Sequence, residues 1–159
     1  MKLTKTDALN IAIHAGKKYD LDPYLLLGMI EQESAYETES VRLENGFFRK
    51  YAQPLVLATT TKVLLSTSFG LLQVMGYSLR EMGLFQDDPT PAGIAMRVDR
   101  YMIDPLEQIM TGANWLRVKM GENPDVVRGL TRYNGSSEYP PQVLARVDRL
   151  RGEHGKGEF

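Results

Sequence analysis

The 159-residue chain has no cysteine, which excludes disulfides, thiolate metal sites and a cysteine nucleophile. It has two histidines, His14 and His154. The first reads as a helix-surface or edge residue and the second lies in the C-terminal tail. No HExxH, P-loop, GxGxxG or GxSxG pattern occurs, and no acid or histidine cluster has metal-ligand spacing. Neither a metal nor a cofactor is expected. Long apolar runs are also missing: nothing approaches the roughly 20 residues of a membrane span, so no stable membrane insertion is expected. The N-terminal "MKLTKTDALNIAIHAGKKYD" lacks the apolar core and small-residue cleavage site of a signal peptide, which points to synthesis in the cytoplasm. Finally, 19 basic residues face 20 acidic ones, for a formal net charge of −1. That balance offers no basic excess for nucleic acid and little steering toward any charged surface.

What is present is ordinary globular composition, 43% hydrophobic and 25% charged, in a chain long enough for one domain with a real core. There is no internal repeat and no linker. The periodicity is mainly helical. A first helix opens near Thr4, with Asp7 at capping-box-like spacing. A second starts at the cap Asp22 with Pro23 in the first position and runs to about Ser34. Residues 35–69 stay unassigned. They carry a turn signal at Asn45-Gly46, then "LVLATTTKVLLSTS", which suits either a helix or a strand. "FGLLQVMGYSLREMG" reads as a helix, with Leu72, Met75, Leu79 and Met82 on one side and Gly83 as its stop. Residues 84–103 read as a loop. Asp104-Pro105 opens a strong helix whose stripe is Leu106, Ile109, Met110, Ala113, Leu116 and Met120. Asn123-Pro124 opens another that stops at Gly135. A last helix carries Val143, Leu144, Val147 and Leu150, with a flexible tail from about 153 to 159. The fold class that follows is mainly α: a single helical domain over residues 1–159, with a short β element or irregular segment within 35–69.

One residue breaks the pattern. In "LLGMIEQES", Leu26, Met29, Ile30 and Glu33 share a helix face. Three belong in a core and the fourth is a carboxylate. Lost hydration favours its protonated form, and so does the negative end of its own helix. Both raise its pKa, as a general acid requires. A structural glutamate at the core edge, paired with an arginine, fits the same spacing and is the simpler reading from these residues alone. Glu31 points well away from Glu33. Glu37, Glu39 and Glu44 read as solvated, and Trp115 as core.

Further blocks tip this balance. "DPYLLLGMIEQES" resembles the opening of the SLT-domain lytic transglycosylases, a lysozyme-like α+β superfamily, in which a helix ends in Glu-Ser. "GLLQVM" resembles the family's GLMQ motif, and with Phe69 it is similar to goose-type lysozymes. "DPLEQIMTGANWL" and "RYNGSSEYPPQV" resemble two later motifs, and all four occur in the family's order across most of residues 8–148. The resemblance implies a muralytic enzyme acting on peptidoglycan glycan strands, and a monomer is expected. It implies Glu33 as catalytic acid/base, with Gln73 and Met75 lining a glycan cleft. Tyr133 would approach the carboxylate, Asn134 would shape the turn beside it, and Tyr139 matches a later tyrosine. The link from Ala35 to Phe69 is longer than the family's, and Ser66 and Ser68 both compete as counterpart of its serine before GLMQ, with Ser68 taken as the site residue. "ENGFFRKY" resembles phage-encoded members, which suggests a phage lysin or virion component acting on the cell wall. A hydrolytic outcome, as in a lysozyme-type endolysin, needs a second carboxylate. Glu44 is its best candidate, ahead of Glu37 and Glu39, although pairing with Arg42 or Arg49 also accounts for Glu44. A non-enzymatic glycan-binding or virion module on the same scaffold is a third reading.

Overall fold

The computed structural model describes residues 1–157. Helices α1 (Lys5–Tyr19) and α2 (Pro23–Ser34) come first, followed by strand β1 (Val41–Leu43). A single helical turn, α3 (Asn45–Phe47), widens into a π-helical turn over Phe48–Ala52. Then come α4 (Thr59–Leu65), β2 (Thr67–Phe69), β3 (Val74–Met75), α5 (Gly76–Glu81), α6 (Pro91–Met102), α7 (Pro105–Met120), α8 (Val126–Asn134) and α9 (Tyr139–Gly155).

Local chemistry accounts for the helix starts. Thr4 Oγ1 accepts from the Asp7 N–H at 3.1 Å, and Asp22 Oδ1 from the Tyr24 N–H at 3.0 Å. Asp104 caps α7 through the Glu107 N–H at 3.0 Å. Each satisfies a backbone donor that the first turn leaves open. α2 packs against α1 and α9, and α7 against α1 and α8. The core between them contains Leu26, Met29, Ile30, Ile109, Leu116, Val143 and Leu150, all fully buried. Each such side chain contributes about 1.5–3 kcal/mol relative to exposure. α2 and α9 come close because Gly28 has no side chain. A Cβ there would lie 3.1 Å from Val147 Cγ2 and 3.2 Å from the Val143 carbonyl oxygen.

The three strands form an antiparallel sheet in the order β1-β2-β3, with Arg42 opposite Ser68 and Ser68 opposite Met75. The fully buried Gln108 on α7 ties this sheet to the helices. Its Oε1 accepts from the Leu71 N–H at 2.8 Å, and its Nε2 faces the carbonyls of Thr38, Tyr101 and Met102 at 3.2, 3.0 and 2.9 Å.

Several sequence expectations change. Residues 67–75 are strand, turn and strand, and the helix begins only at Gly76. Gly70 and Gln73 both have positive φ, +73° and +48°, which no helix accommodates. Residues 84–103 are not a loop throughout: Thr90 caps α6 through the Gly93 N–H. α8 is capped by Asp125 rather than Asn123, because Asp125 Oδ1 takes the Arg128 N–H at 2.7 Å. Leu106 is exposed although its helix stripe is buried. α9 continues through 153–155, where a flexible tail was expected; residues 158 and 159 of that tail lie outside the described residues. The unassigned stretch holds β1, α3, α4 and β2.

Candidate active site

Glu33 occupies the last turn of α2. The helix stops abruptly, with Ala35 and Tyr36 both left-handed at φ 49° and 71°. Such a pair costs energy in non-glycine residues and is held from outside. The Leu3 N–H bonds the Tyr36 carbonyl at 2.9 Å, and Thr38 bonds the Met1 carbonyl through both N–H and Oγ1. Ser34 turns its hydroxyl back to the Ile30 carbonyl at 3.0 Å. It is therefore committed to its own helix rather than to a ligand.

The Glu33 side chain is 5% exposed. It lies on a cleft of about 680 Å³ that is also lined by Arg42, Glu44, Ser68, Gln73, Met75, Tyr133 and Asn134. Burial pushes the Glu33 carboxyl above the ordinary carboxylate value. Tyr139 and the Arg42 guanidinium, whose Nη2 is 4.0 Å from Glu33 Oε2, pull it partly back, and the Glu44 charge pushes it up again. The Tyr139 hydroxyl lies against Glu33 from behind. It is buried and makes no hydrogen bond of ordinary geometry, yet Glu33 still acts on it electrostatically. Burial and the nearby Glu33 charge both raise the Tyr139 phenol, so this hydroxyl stays protonated and remains a donor.

The other expected residues divide by role. Ser68, not Ser66, reaches the cleft: its Oγ donates to Glu44 Oε1 at 3.0 Å, while Ser66 is fully buried. Gln73 Nε2 donates to the carbonyls of Ser40 and Gly70, both at 2.9 Å, so it pins the turn that forms one cleft wall. Tyr133 donates to the Leu72 carbonyl at 2.8 Å. Tyr133 lines the cleft with Glu33, and burial and the Glu33 charge raise its phenol, but its proton is committed to that carbonyl; Tyr139 is the tyrosine that pulls the Glu33 carboxyl down. Glu44 Oε1 also accepts from Arg42 Nε at 2.7 Å. Glu37 and Glu39 do not line the cleft; Glu39 holds the N-terminal amine at 3.0 Å. Glu31 pairs with Arg149 on α9, away from the site.

Phe47, Tyr77, Glu81, Lys119 and Arg132 also line the cleft without having been singled out in the sequence; Arg42, expected as a partner of Glu44, pairs with it there, and Trp115, expected as core, is also a lining residue. Trp115 is half-buried against the core and faces the cleft on its other side, with Lys119 Nζ 4.0 Å from its ring centroid. The aromatic pair in "NGFF" was the available signal for Phe47, which packs on Tyr77 at 5.6 Å. Among the described residues no group of three or more acids or histidines could hold a metal. No described helix is long and apolar enough to cross a membrane.

The model of the family described as "Transglycosylase SLT domain" matches residues 10–146. No curated protein and no solved structure matches the chain. The family match spans α1 to α9 and takes in Glu33, both cleft walls and Tyr139. The chain therefore belongs to the transglycosylase SLT domain family and has the mainly helical, lysozyme-like fold of a domain that degrades peptidoglycan.

Proposed function

We propose that the protein is a lytic transglycosylase that cleaves the β-1,4 bond between N-acetylmuramic acid and N-acetylglucosamine, with Glu33 as the single acid/base. The observation that carries this reading is a buried carboxyl, held above its usual pKa, at a cleft large enough for sugar rings. Protonated Glu33 gives its proton to the bridging oxygen. The bond from that oxygen to the muramyl C1 breaks, and the N-acetylglucosamine side leaves as an alcohol. The muramyl carbon gains oxocarbenium character, which the substrate's own N-acetyl oxygen can stabilise. The ionised Glu33 then takes the proton of the muramyl C6 hydroxyl as its oxygen closes on C1. Glu33 ends protonated, and the product carries a 1,6-anhydro ring. Tyr139 and Arg42 stabilise the ionised midpoint, and burial favours the protonated start and finish.

Hydrolysis is the second reading, because Glu44 shares the cleft with Glu33. Its Oε1 already accepts from Arg42 and Ser68, which supports a role in placing Arg42 over one in activating water. Mass spectrometry of digested peptidoglycan separates the two readings. Anhydromuramic ends, lighter by one water, are expected; reducing ends alone would overturn the transglycosylase assignment in favour of a Glu44-assisted hydrolase. A folded protein that cleaves no purified peptidoglycan would leave only glycan binding.

A further inference from the structure

Between Glu44 and Glu81 the sequence has no aspartate or glutamate, although the chain carries 20 such residues. The same stretch contains Arg49, Lys50, Lys62 and Arg80. Among the described residues none of these four cations is within ion-pair distance of a carboxylate. The loop between the π-helical turn and α4 lies within this acid-free stretch of sequence, while the exposed Asp87 and Asp88 stand between Gln86 and Pro89 of the hollow that Leu57 and Arg80 line. Val56 at its tip is fully exposed, and Leu55, Leu57 and Tyr51 beside it are 42%, 36% and 52% exposed.

This projection is built rather than frayed. Ala52 at its base is buried. The Gln53 N–H bonds the Phe48 carbonyl at 2.8 Å, and the Leu55 N–H bonds that of Ala52 at 3.1 Å. Lys62 Nζ clamps the Gln53 carbonyl at 2.9 Å, and the Lys62 N–H bonds that of Ala58 at 3.0 Å. Val56 is thus held fully in water by an ordered frame, with Leu55 and Leu57 partly exposed on either side of it.

We infer that this loop docks on an anionic lipid bilayer, with Leu55, Val56 and Leu57 entering the headgroup layer and Arg49, Lys50 and Arg80 facing lipid phosphates. Interfacial binding needs this combination of apolar insertion and basic flanks. Long basic side chains can lie along an apolar surface while their charges stay among the headgroups, and Lys50 already lies over the Tyr51 ring at 5.0 Å. Arg80 and Leu57 line one shared hollow, so charge and apolar tip are adjacent. Tyr51 also packs on Phe47 at 5.1 Å, and Phe47 lines the glycan cleft. Docking would therefore bring the cleft to the glycan strands nearest the membrane. The inference does not depend on the chemistry of cleavage.

Co-sedimentation with vesicles tests it. The full chain is mixed with vesicles of phosphatidylethanolamine and phosphatidylglycerol, and separately with phosphatidylcholine alone. Binding to the anionic vesicles is expected to be about tenfold tighter and to weaken with salt. Val56→Asp should lose most of it, about tenfold, while cleaving isolated sacculi at the wild-type rate. Val56→Trp should gain a blue-shifted emission on anionic vesicles that the wild type, with Trp115 alone, does not show. Equal affinity for both lipids, binding unchanged by Val56→Asp, or an unshifted Val56→Trp spectrum would each overturn the proposal. So would a wild-type dimer that Val56→Asp dissolves without any effect on vesicles, because the tip would then cover a second copy of the chain.

Discussion

The helical frame of α1, α2, α7 and α9 and the segment from Ala35 to Glu81 are held together by different means. In the frame, each helix has a local start signal and a buried stripe, and apolar packing at Gly28, Ile30, Ile109 and Val143 joins the pieces. In the segment, strands of two or three residues are too short to stand alone. Its shape comes from side chains that reach across the sequence. Gln108 takes the Leu71 N–H, Gln73 bridges Ser40 and Gly70, and Ser68 and Arg42 hold Glu44. Glu33 stands where the two meet. Its position comes from α2, and much of its electrostatics comes from Arg42 and Glu44 across the cleft. A site of this kind can lose its chemistry while its frame stays intact, and the reverse holds for the segment.

Glu33→Gln makes the sharpest cut between position and chemistry. It should lower peptidoglycan cleavage by about a thousandfold or more, since it removes both proton transfers of the proposed mechanism, with an unchanged circular dichroism spectrum. Its effect on stability runs the other way. The Glu33 carboxyl binds its proton more tightly folded than unfolded. Its favourable contribution is therefore complete below the ordinary value of 4.5 and is lost as pH rises through the raised folded value. The variant should melt above the wild type near pH 8, with the advantage vanishing toward pH 4. A variant less stable than wild type near pH 8 would mean that ionised Glu33 is a structural ion-pair partner.

Gln108→Leu tests the segment. It keeps the side chain's bulk but leaves the Leu71 N–H without its acceptor and removes the donor that faces three carbonyls. The expected loss is about 2–4 kcal/mol in chemical denaturation, with cleavage falling at temperatures where the protein is still folded. Gly70→Ala should cost less, about 1–3 kcal/mol. Its φ is +73°, and the new Cβ would fall 2.5 Å from Gln108 Oε1. Neither change should disturb the packing of α2 on α9. If the two variants unfold in one step with an unchanged denaturant slope, frame and segment form one cooperative unit.

The same contrast governs what the sequence made legible. Asp22-Pro23 and Asp104-Pro105 announce helices because a cap and a first-turn proline act within a few residues. Thr90-Pro91 carries the same signal for α6, but the polar stretch before it masked it. Leu72, Met75 and Leu79 have helical spacing, yet only Leu79 is helical: Leu72 lies in a turn and Met75 pairs with Ser68 of β2, which itself pairs with β1, about 26 residues earlier in sequence. That pairing depends on left-handed Gly70 and Gln73 and on Gln108, none of which a local pattern reveals. Glu33 was legible because a carboxylate interrupts an apolar stripe. Arg42 and Trp115 were not, because an exposed strand arginine and a helical tryptophan acquire their place in the cleft only when the segment folds against α7.

The smallest expected effects bear most directly on how the segment tunes the frame. In the proposed mechanism activity requires protonated Glu33, so it should fall as pH rises through the Glu33 pKa. Tyr139 lowers that pKa and Glu44 raises it. Tyr139→Phe should therefore move the falling limb of the kcat/KM profile to higher pH, and Glu44→Gln should move it to lower pH. Glu44→Gln also removes the charge that strengthens the 2.7 Å bond from Arg42. The guanidinium can then turn further toward Glu33, which shifts the limb in the same direction. Tyr139 belongs to α9 and Glu44 to the segment, so opposite shifts would show both regions acting on one carboxyl. A Glu44→Gln enzyme with an unmoved limb but a large fall in kcat would instead assign Glu44 to the chemistry, as a base that activates water.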